Sequence, residues 1–431
     1  MNVLDSQRLE GVLQELGLSP AESSESADVA LLNTCSVREK AAQKVLSRLG
    51  ELRKARAAGG KPGVVGLCGC VAEQDGASLL SRSPILSFVL GPGQIGQLPA
   101  ALQSVGEGKR VNVTGFPADQ EYESHLIARS AGARQLVTVV HGCNQHCTFC
   151  VVPYTRGRER SRALADIVTE VRALAARGAK EVTLLGQTVN AYRCPASGAE
   201  LPDLLEAVGA VEGLWRVQFL TSHPAFFTGS SVERIAAVPR LGSYLHIPFQ
   251  SGSNAVLKRM HRSYTRDEYL DLVSRLRAAR PAVTLSTDVI VGFPGETEED
   301  FEATLDVVSR VRFGQLYGFA YSPRPRTPAA RYAGRVARAT ASERLERLFA
   351  VQTAIQLELN QALIGRRVEA LIDGPARRGS QLWQGRGEDN RVVIVPAWDG
   401  IREGQLARVK IGGATAHALI GEAVGEADRA A

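Results

Sequence analysis

The chain has 431 residues, 44% hydrophobic and 22% charged, with a formal net charge of +6, so two or three domains are expected, and the positive balance permits a polyanionic partner without requiring one. It has no apolar run long enough to cross a membrane and no signal-peptide pattern at its start, which predicts a cytoplasmic protein with no membrane partner. Its seven cysteines are bunched as C-x-C and C-x3-C-x2-C, which excludes a secreted disulfide framework.

Residues 1–115 alternate helical and strand patterns. Leu9, Val12, Leu13 and Leu16 recur at helical spacing, with Asp5 or Ser6 as the expected cap. Val29–Thr34 reads as a buried strand, Ser36–Arg56 as a helix, and Val64–Leu67 and Phe88–Leu90 as further strands. This alternation predicts a flavodoxin-like parallel sheet with helices on both faces. Ligands gather at the carboxyl ends of such strands, where Cys35 and Cys70 fall. Gly91-Pro-Gly-Gln-Ile-Gly96 fits G-x-G-x-x-G after a strand. Pro92 removes an amide donor from any phosphate cradle, so a plain turn into the next helix is expected.

Residues 116–132 are polar and irregular and read as a linker. From 135 to about 322 the alternation recurs six times, with strands expected at Leu136–Val140, Val182–Leu185, Val217–Leu220, Tyr244–Ile247, Leu285–Val291 and Leu316–Tyr321. Asp166–Ala176 and Tyr269–Ala279 are two of the helices between them. The pattern predicts a partial (β/α)6 barrel. Gln187, Asn190, Ser222, His223, His246, Gln250, Tyr321 and Ser322 follow the strands, at the end where barrel enzymes place their sites. A helix over 340–363 leads to short apolar strands at Arg367–Leu371, Val392–Val395, Leu406–Ile411 and Ala416–Ile420, which predict a small C-terminal β-barrel.

The chemistry concentrates in His141-Gly-Cys-Asn-Gln-His-Cys-Thr-Phe-Cys150. Three thiolates so close together must share one soft metal centre. A tetrahedral zinc site or an ordinary iron–sulfur cluster takes four protein ligands. His141 or His146 offers a fourth ligand for zinc; a 4Fe–4S cluster with one open iron needs none.

At this point the chain resembles the radical S-adenosylmethionine (SAM) superfamily, whose cluster loop has the same spacing as Cys143, Cys147 and Cys150. The resemblance implies that SAM chelates the open iron and is cleaved to a 5′-deoxyadenosyl radical, with Phe149 against the adenine. Asn33-Thr-Cys-Ser-Val-Arg-Glu-Lys40, Gly69-Cys-Val-Ala-Glu73, Cys150-Val-Val-Pro-Tyr-Thr-Arg-Gly157, Tyr244-Leu-His-Ile-Pro-Phe-Gln-Ser-Gly252 and Asp288-Val-Ile-Val-Gly-Phe-Pro-Gly-Glu296 are similar to motifs of its methylthiotransferases. The wording favours the tRNA-modifying branch over the ribosomal-protein branch. The likeness spans nearly the whole chain and implies an N-terminal methylthiotransferase domain over 1–115, a radical SAM core over 130–360 and an RNA-binding TRAM domain over 361–424.

In that family three N-terminal cysteines hold an auxiliary 4Fe–4S cluster. Cys35 and Cys70 match the second and third, and the chain begins just after the expected place of the first. A start site assigned too late is one expectation. A two-cysteine protein, helped by Cys68 or lacking the auxiliary cluster, is the other. Cys68 is otherwise a small core hydrophobe, and Cys194 a free thiol outside every motif.

The basic groups have two readings each. Lys40, Lys44 and Arg48 recur on one helix face, with Arg53, Lys54 and Arg56 beyond, as a solvated face or a phosphate-contacting stripe. Arg156, Arg158, Arg160 and Arg162 lie beside the cluster loop; Arg366, Arg367, Arg377, Arg378 and Arg386 lie in the C-terminal barrel. Gln187, Asn190, Ser222, His246 and Gln250 are barrel-rim polar residues that the resemblance places around SAM and substrate.

The implied reaction adds a methylthio group to C2 of an N6-isopentenyl adenosine beside the tRNA anticodon, in a stem-loop whose base leaves its stack. The implied partners are an electron donor and iron–sulfur or sulfur carrier proteins, with a monomeric enzyme. Alternatives are methylthiolation of threonylcarbamoyl adenosine or of a ribosomal protein and, from another class, a non-catalytic zinc-dependent RNA-binding protein.

Overall fold

A computed structural model describes residues 1–35, 39–116, 132–377, 379 and 381–426. Most of the expected linker and Arg378 lie outside the described residues, as does the Lys40 side chain.

The N-terminal unit is a four-stranded parallel sheet in the order β1 (Val29–Thr34), β2 (Val64–Gly69), β3 (Phe88–Leu90) and β4 (Val111–Val113). The last strand is not legible in the sequence: Asn112 interrupts Val111 and Val113, which leaves no apolar run like that of Phe88–Leu90. Alternation along the strands sends side chains to two different layers. Val65, Leu67 and Val89 pack with α2 (Glu39–Gly59) and α3 (Cys70–Arg82). Cys68, Phe88 and Leu90 pack with α1 (Asn2–Glu15) and α4 (Leu98–Gly106). The α1 helix begins earlier than its periodicity suggested, with Met1 rather than Asp5 or Ser6 at its N-cap. Asp5 is buried inside its first turn. The Gly91–Gly96 segment is a short 3₁₀ turn into α4, as a plain turn requires.

The central unit begins with β5 (Arg134–Thr138) and a two-residue ribbon, β6 (Val140–His141) antiparallel to β7 (Arg160–Ser161). Between these two lie the cysteine loop and the short α5 (Val152–Arg156). The units then follow in order: α6 (Leu164–Ala176), β8 (Glu181–Leu185), α7 (Leu201–Gly209), β9 (Arg216–Leu220), α8 (Gly229–Ala236), β10 (Tyr244–His246), α9 (Asn254–Arg259), α10 (Arg266–Ala279), β11 (Thr284–Val291), α11 (Glu298–Val311) and β12 (Gln315–Ala320). Parallel ladders join β5 to β8 and β9, and β10 to β11 and β12. The halves meet where Val217 donates to the Arg240 carbonyl and accepts from Gly242, at 2.8 and 2.9 Å. Among the described residues β5 and β12 share no ladder, so the six-stranded barrel is open. Reciprocal capping boxes, Thr265 with Glu268 and Thr297 with Asp300, start α10 and α11.

Helix α12 (Arg338–Gln361) leads to a closed five-stranded barrel of β13 (Arg367–Pro375), β14 (Leu382–Gly387), β15 (Val392–Pro396), β16 (Leu406–Ala414) and β17 (Ala418–Glu426). Closure leaves no unpaired sheet edge. β14 was not foreseen, because Trp383 and Leu382 are its only large apolar residues.

This barrel docks under the central one. Arg134, Glu181 and Arg216 are neighbours at the first rungs of β5, β8 and β9. The Glu181 side chain is 1% exposed and receives both guanidiniums, at 2.8 and 2.5 Å. Burial pushes its carboxyl up, but Arg216 and then Arg134 outweigh burial and hold it below the usual range. Arg134 also reaches Asp373 of β13 at 3.5 Å, and Arg216 donates to the Arg386 carbonyl at 3.3 Å. The C-terminal barrel is thus tied to the amino ends of the strands. The cysteine loop follows their carboxyl ends, about 17 Å away over five residues.

Removing Glu181 as Glu181→Gln leaves two arginines without their shared counter-charge. A loss of about 3–5 kcal/mol of unfolding free energy is expected in urea titrations; a loss under 1 kcal/mol means that the triad does not hold the interface.

Candidate metal centre and active site

The cysteine triplet sits in a loop clasped at both ends. Val140 pairs with Ser161 and His141 with Arg160, and Cys143 donates its amide to the Gly157 carbonyl at 3.2 Å. Gly142 has φ +67°, and a Cβ there would lie 2.1 Å from the Arg158 carbonyl oxygen, so only glycine fits this turn. Inside the loop, Cys150 donates its amide to the Cys147 carbonyl at 3.0 Å. The Cys143 sulfur lies 3.6 Å from the Thr188 hydroxyl and accepts the Gln145 amide at 3.3 Å. Burial, and after it the neighbouring Cys147, push the Cys150 thiol up to about 12. Burial and the neighbouring Cys147 also raise Cys143, against hydrogen bonds from Thr188 and Gln145. These three thiols therefore share one neighbourhood, and Cys143 and Cys150 resist ionising until a metal cation compensates them.

The strand ends around the loop carry the expected polar residues, in unequal roles. Gln187 Oε1 and Ser222 Oγ are buried atoms with no hydrogen-bond partner among the described residues. Unpaired buried acceptors and hydroxyls are costly, and both are suited to a polar ligand between β8 and β9. Asn190 is occupied: its amide donates to the His223 carbonyl at 2.9 Å and accepts the His223 amide at 2.8 Å. Its role here is to lock two loops together. His246 Nδ1 lies 2.8 Å from Ser286 Oγ, and its Nε2 lies 3.5 Å from Asp288. Ser286 in turn donates to Tyr244 Oη at 2.7 Å, and the Tyr317 ring stands edge-on to His246 at 5.9 Å. The lumen of this half-barrel is therefore polar. Gln250 holds a left-handed backbone, φ +68°, because its amide and carbonyl bridge to Asp288 and Ile290 of β11. Phe149 packs edge-on to Phe293 at 6.4 Å.

At the other sheet, Thr34 pairs with Gly69, so Cys35 and Cys70 emerge side by side at its carboxyl edge. Gly69 takes φ +87° to turn the chain there. Cys70 hydrogen-bonds the Arg156 guanidinium, which also grips Asp5 of α1 at 2.5 Å. Cys35 and Cys70 both act on the charge of the Met1 amino group. Cys68 points away into the α1 and α4 layer, and burial pushes its thiol up to about 12. It is a core residue with no access to that edge.

Most of the basic residues with assigned contacts have structural work. Arg48 pairs with Glu25 and Glu51, and Arg56 donates to the Pro62 and Gly63 carbonyls. Arg162 is buried against Glu170 at 2.7 Å and the Thr138 carbonyl at 2.8 Å. Cys194, a free thiol, accepts the Leu164 amide at 3.4 Å. Thr188 and Arg262 went unnoticed in the sequence. Thr188 carries the signal that marked Gln187, a polar side chain past a strand end. Arg262 carries none, because it follows a helix and reaches the loop only through packing.

Residues 137–308 match the radical SAM superfamily and residues 1–91 match a family described as uncharacterized protein family UPF0004. A tRNA-2-methylthio-N(6)-dimethylallyladenosine synthase of Geotalea uraniireducens is 43% identical over 98% of this chain and 96% of its own length. One from Moorella thermoacetica is 42% identical over the same shares, 98% and 96%. The chain belongs to the tRNA-2-methylthio-N(6)-dimethylallyladenosine synthase family. The synthase family's fold recurs in a radical SAM methyltransferase of Kitasatospora setae solved with tryptophan and a SAM analogue. That structure has TM-score 0.53 and 18% identity, over 86% of this chain and 71% of its own. Membership in this synthase family implies SAM and 4Fe–4S clusters as cofactors. The three soft donors in one clasped loop, beside unpaired polar atoms, fit such a group. No helix among the described residues is long and apolar enough to cross a membrane.

His223, in this site, yields a pH prediction. Burial and then the Arg262 charge lower its pKa to about 3. A folded value below the unfolded one means that its stabilisation is complete above pH 6.5 and is lost as pH falls from 6.5 towards 3. Between pH 6.5 and 4.5 this amounts to about 2 kcal/mol. His223→Asn, which keeps an acceptor for the Ala225 amide, should flatten the stability–pH curve in that window; parallel curves refute the assignment.

Proposed function

We propose that the protein is a radical SAM methylthiotransferase that adds a methylthio group to C2 of N6-isopentenyl adenosine next to the tRNA anticodon. The observation that carries this reading is the clasped loop of three thiols at the carboxyl end of the first barrel strand, in a chain that matches a synthase over 98% of its length. The C2–H bond offers no acidic proton to side chains of ordinary pKa. The iron–sulfur and SAM pair supplies the one-electron chemistry that such a bond requires.

The chain's own residues bind and orient. Cys143, Cys147 and Cys150 hold the SAM-binding cluster, and Thr188 fixes the Cys143 sulfur. Gln187 and Ser222 offer their unpaired atoms to the polar end of SAM, and Phe149 borders its adenine. Asn190 fixes the β8 and β9 loops around it. His246 and Gln250 line the polar lumen that receives the base. Cys35 and Cys70 supply two of the three cysteines that hold the auxiliary cluster. The domain limits are 1–115, 130–360 and 361–424. The C-terminal barrel, tied to the far end of the strands, grips RNA at a distance from the reacting base, so a stem-loop must span both ends. Electron-donor and sulfur-carrier proteins serve a monomeric, cytoplasmic enzyme. The relatives' names favour isopentenyl adenosine in tRNA over a threonylcarbamoyl adenosine or a ribosomal protein.

An anaerobic assay with dithionite, SAM and isopentenylated tRNA tests the assignment. The reconstituted protein should form 5′-deoxyadenosine and a methylthiolated nucleoside. Cys143→Ser should abolish both, and Cys35→Ser should abolish only methylthiolation. Deoxyadenosine formation that survives Cys143→Ser overturns the assignment of the triplet.

A further inference from the structure

Segment 259–262, which closes helix α9, contacts the cysteine loop through hydrogen bonds. The Thr148 hydroxyl donates to the Arg259 carbonyl at 2.8 Å, and its amide donates to the Met260 carbonyl at 3.0 Å. His261 Nδ1 lies 3.1 Å from the His146 carbonyl. The next residue is Arg262. Its guanidinium carbon stands 5.7 Å from the centre of the Phe149 ring and 5.8 Å from that of Tyr264. Phe149 lies between Cys147 and Cys150 in the chain, so this cation is held against the cluster loop itself.

Two further facts give the placement a purpose. Arg262 Nε is a buried donor with no hydrogen-bond partner among the described residues. Burial disfavours its charge, and the charges of Tyr264, Cys147, Cys150 and Cys143 favour it. Its charge opposes those of Cys147 and Cys143 at Cys150. Glu159 adds negative charge near Cys143. A surface arginine would pair with a carboxylate. This one is packed against two aromatic faces instead, with a donor left over, beside three thiols.

We propose that Arg262 is a positioning residue for the triplet's iron–sulfur cluster, supplying its counter-charge and an N–H donor to its sulfur and thereby raising its reduction potential. The inference rests on the reading of the triplet as a cluster site. Net charge and hydrogen bonds to sulfur are the protein's main controls on such potentials. Reduction adds one electron to the cluster and takes none from Arg262, which keeps its protons throughout. A fixed cation stabilises the reduced, more negative form over the oxidised one. The aromatic clamp matters because a mobile arginine would turn to solvent.

The test uses the full chain with Cys35→Ala and Cys70→Ala, so that only the triplet contributes iron. Arg262→Gln and Arg262→Lys are compared with this parent by iron and sulfide content and by an EPR-monitored redox titration without SAM. The Gln variant should keep the parent's iron and become harder to reduce by about tenfold or more, a shift of about 59 mV to more negative potential. The Lys variant keeps the charge but loses the fork of donors, and should fall between the two. An unchanged midpoint in Arg262→Gln overturns the proposal. So does loss of iron in both variants, which makes Arg262 a folding residue. A parent that takes up no iron and sulfide refutes the cluster reading beneath it, a distinct failure.

Discussion

The buried pair between Arg156 and Asp5 is the contact on which the arrangement of the two cysteine sites depends. The side chains are 7% and 5% exposed and 2.5 Å apart. Arg156 belongs to the short helix that leaves the triplet loop, and Asp5 to the first helix of the N-terminal unit. The same guanidinium reaches Cys70. One residue therefore sets the distance between a loop at the end of one parallel sheet and the edge of another. Breaking a buried pair strands a charge, so the interface has little freedom to slide, and the two cysteine groups stay in register.

The central barrel divides its labour between its ends. At the amino ends of β5, β8 and β9, three charged residues close on one another and on the C-terminal barrel, with their hydrogen-bonding capacity directed at protein. At the carboxyl ends, Gln187 and Ser222 keep buried atoms unpaired and His246 faces an open, polar lumen. Folding favours satisfied polar groups, so the unpaired Gln187 and Ser222 atoms at this end suit a ligand that would complete them. A half-closed barrel suits a macromolecular substrate, because a base on a stem-loop has to enter sideways.

Much of this was legible beforehand. All six barrel strands were located to within a few residues, because buried parallel strands read as short apolar runs between turn residues. The cysteine triplet was legible because its three thiols lie within eight residues of chain. The polar rim was legible in outline only. Gln187 and Ser222 have atoms available, whereas the amide of Asn190 is consumed by the backbone of His223; no spacing rule separates the two cases, since the difference lies in where a neighbouring loop passes. Asp5 looked like a helix cap and is an interdomain anchor. Cys68 and Cys70 differ by two positions, yet one points into a hydrophobic layer and the other opens a helix.

The sequence by itself determined what repeats locally or lies within one loop: the strand and helix periods, the glycine turns, the ligand type and the spacing of the triplet. Each depends on backbone geometry over a few residues, which composition and order specify directly. Tertiary structure alone decided which charges face the cysteines. Arg262 meets a loop more than a hundred residues away, and Arg156 meets Asp5 across two units, through packing that no local period encodes. It also decided that the C-terminal barrel lies at the end opposite the triplet, because that placement follows from charge pairing among Arg134, Glu181, Arg216, Asp373 and Arg386, which are distant in the chain and come together only when two cores are complete.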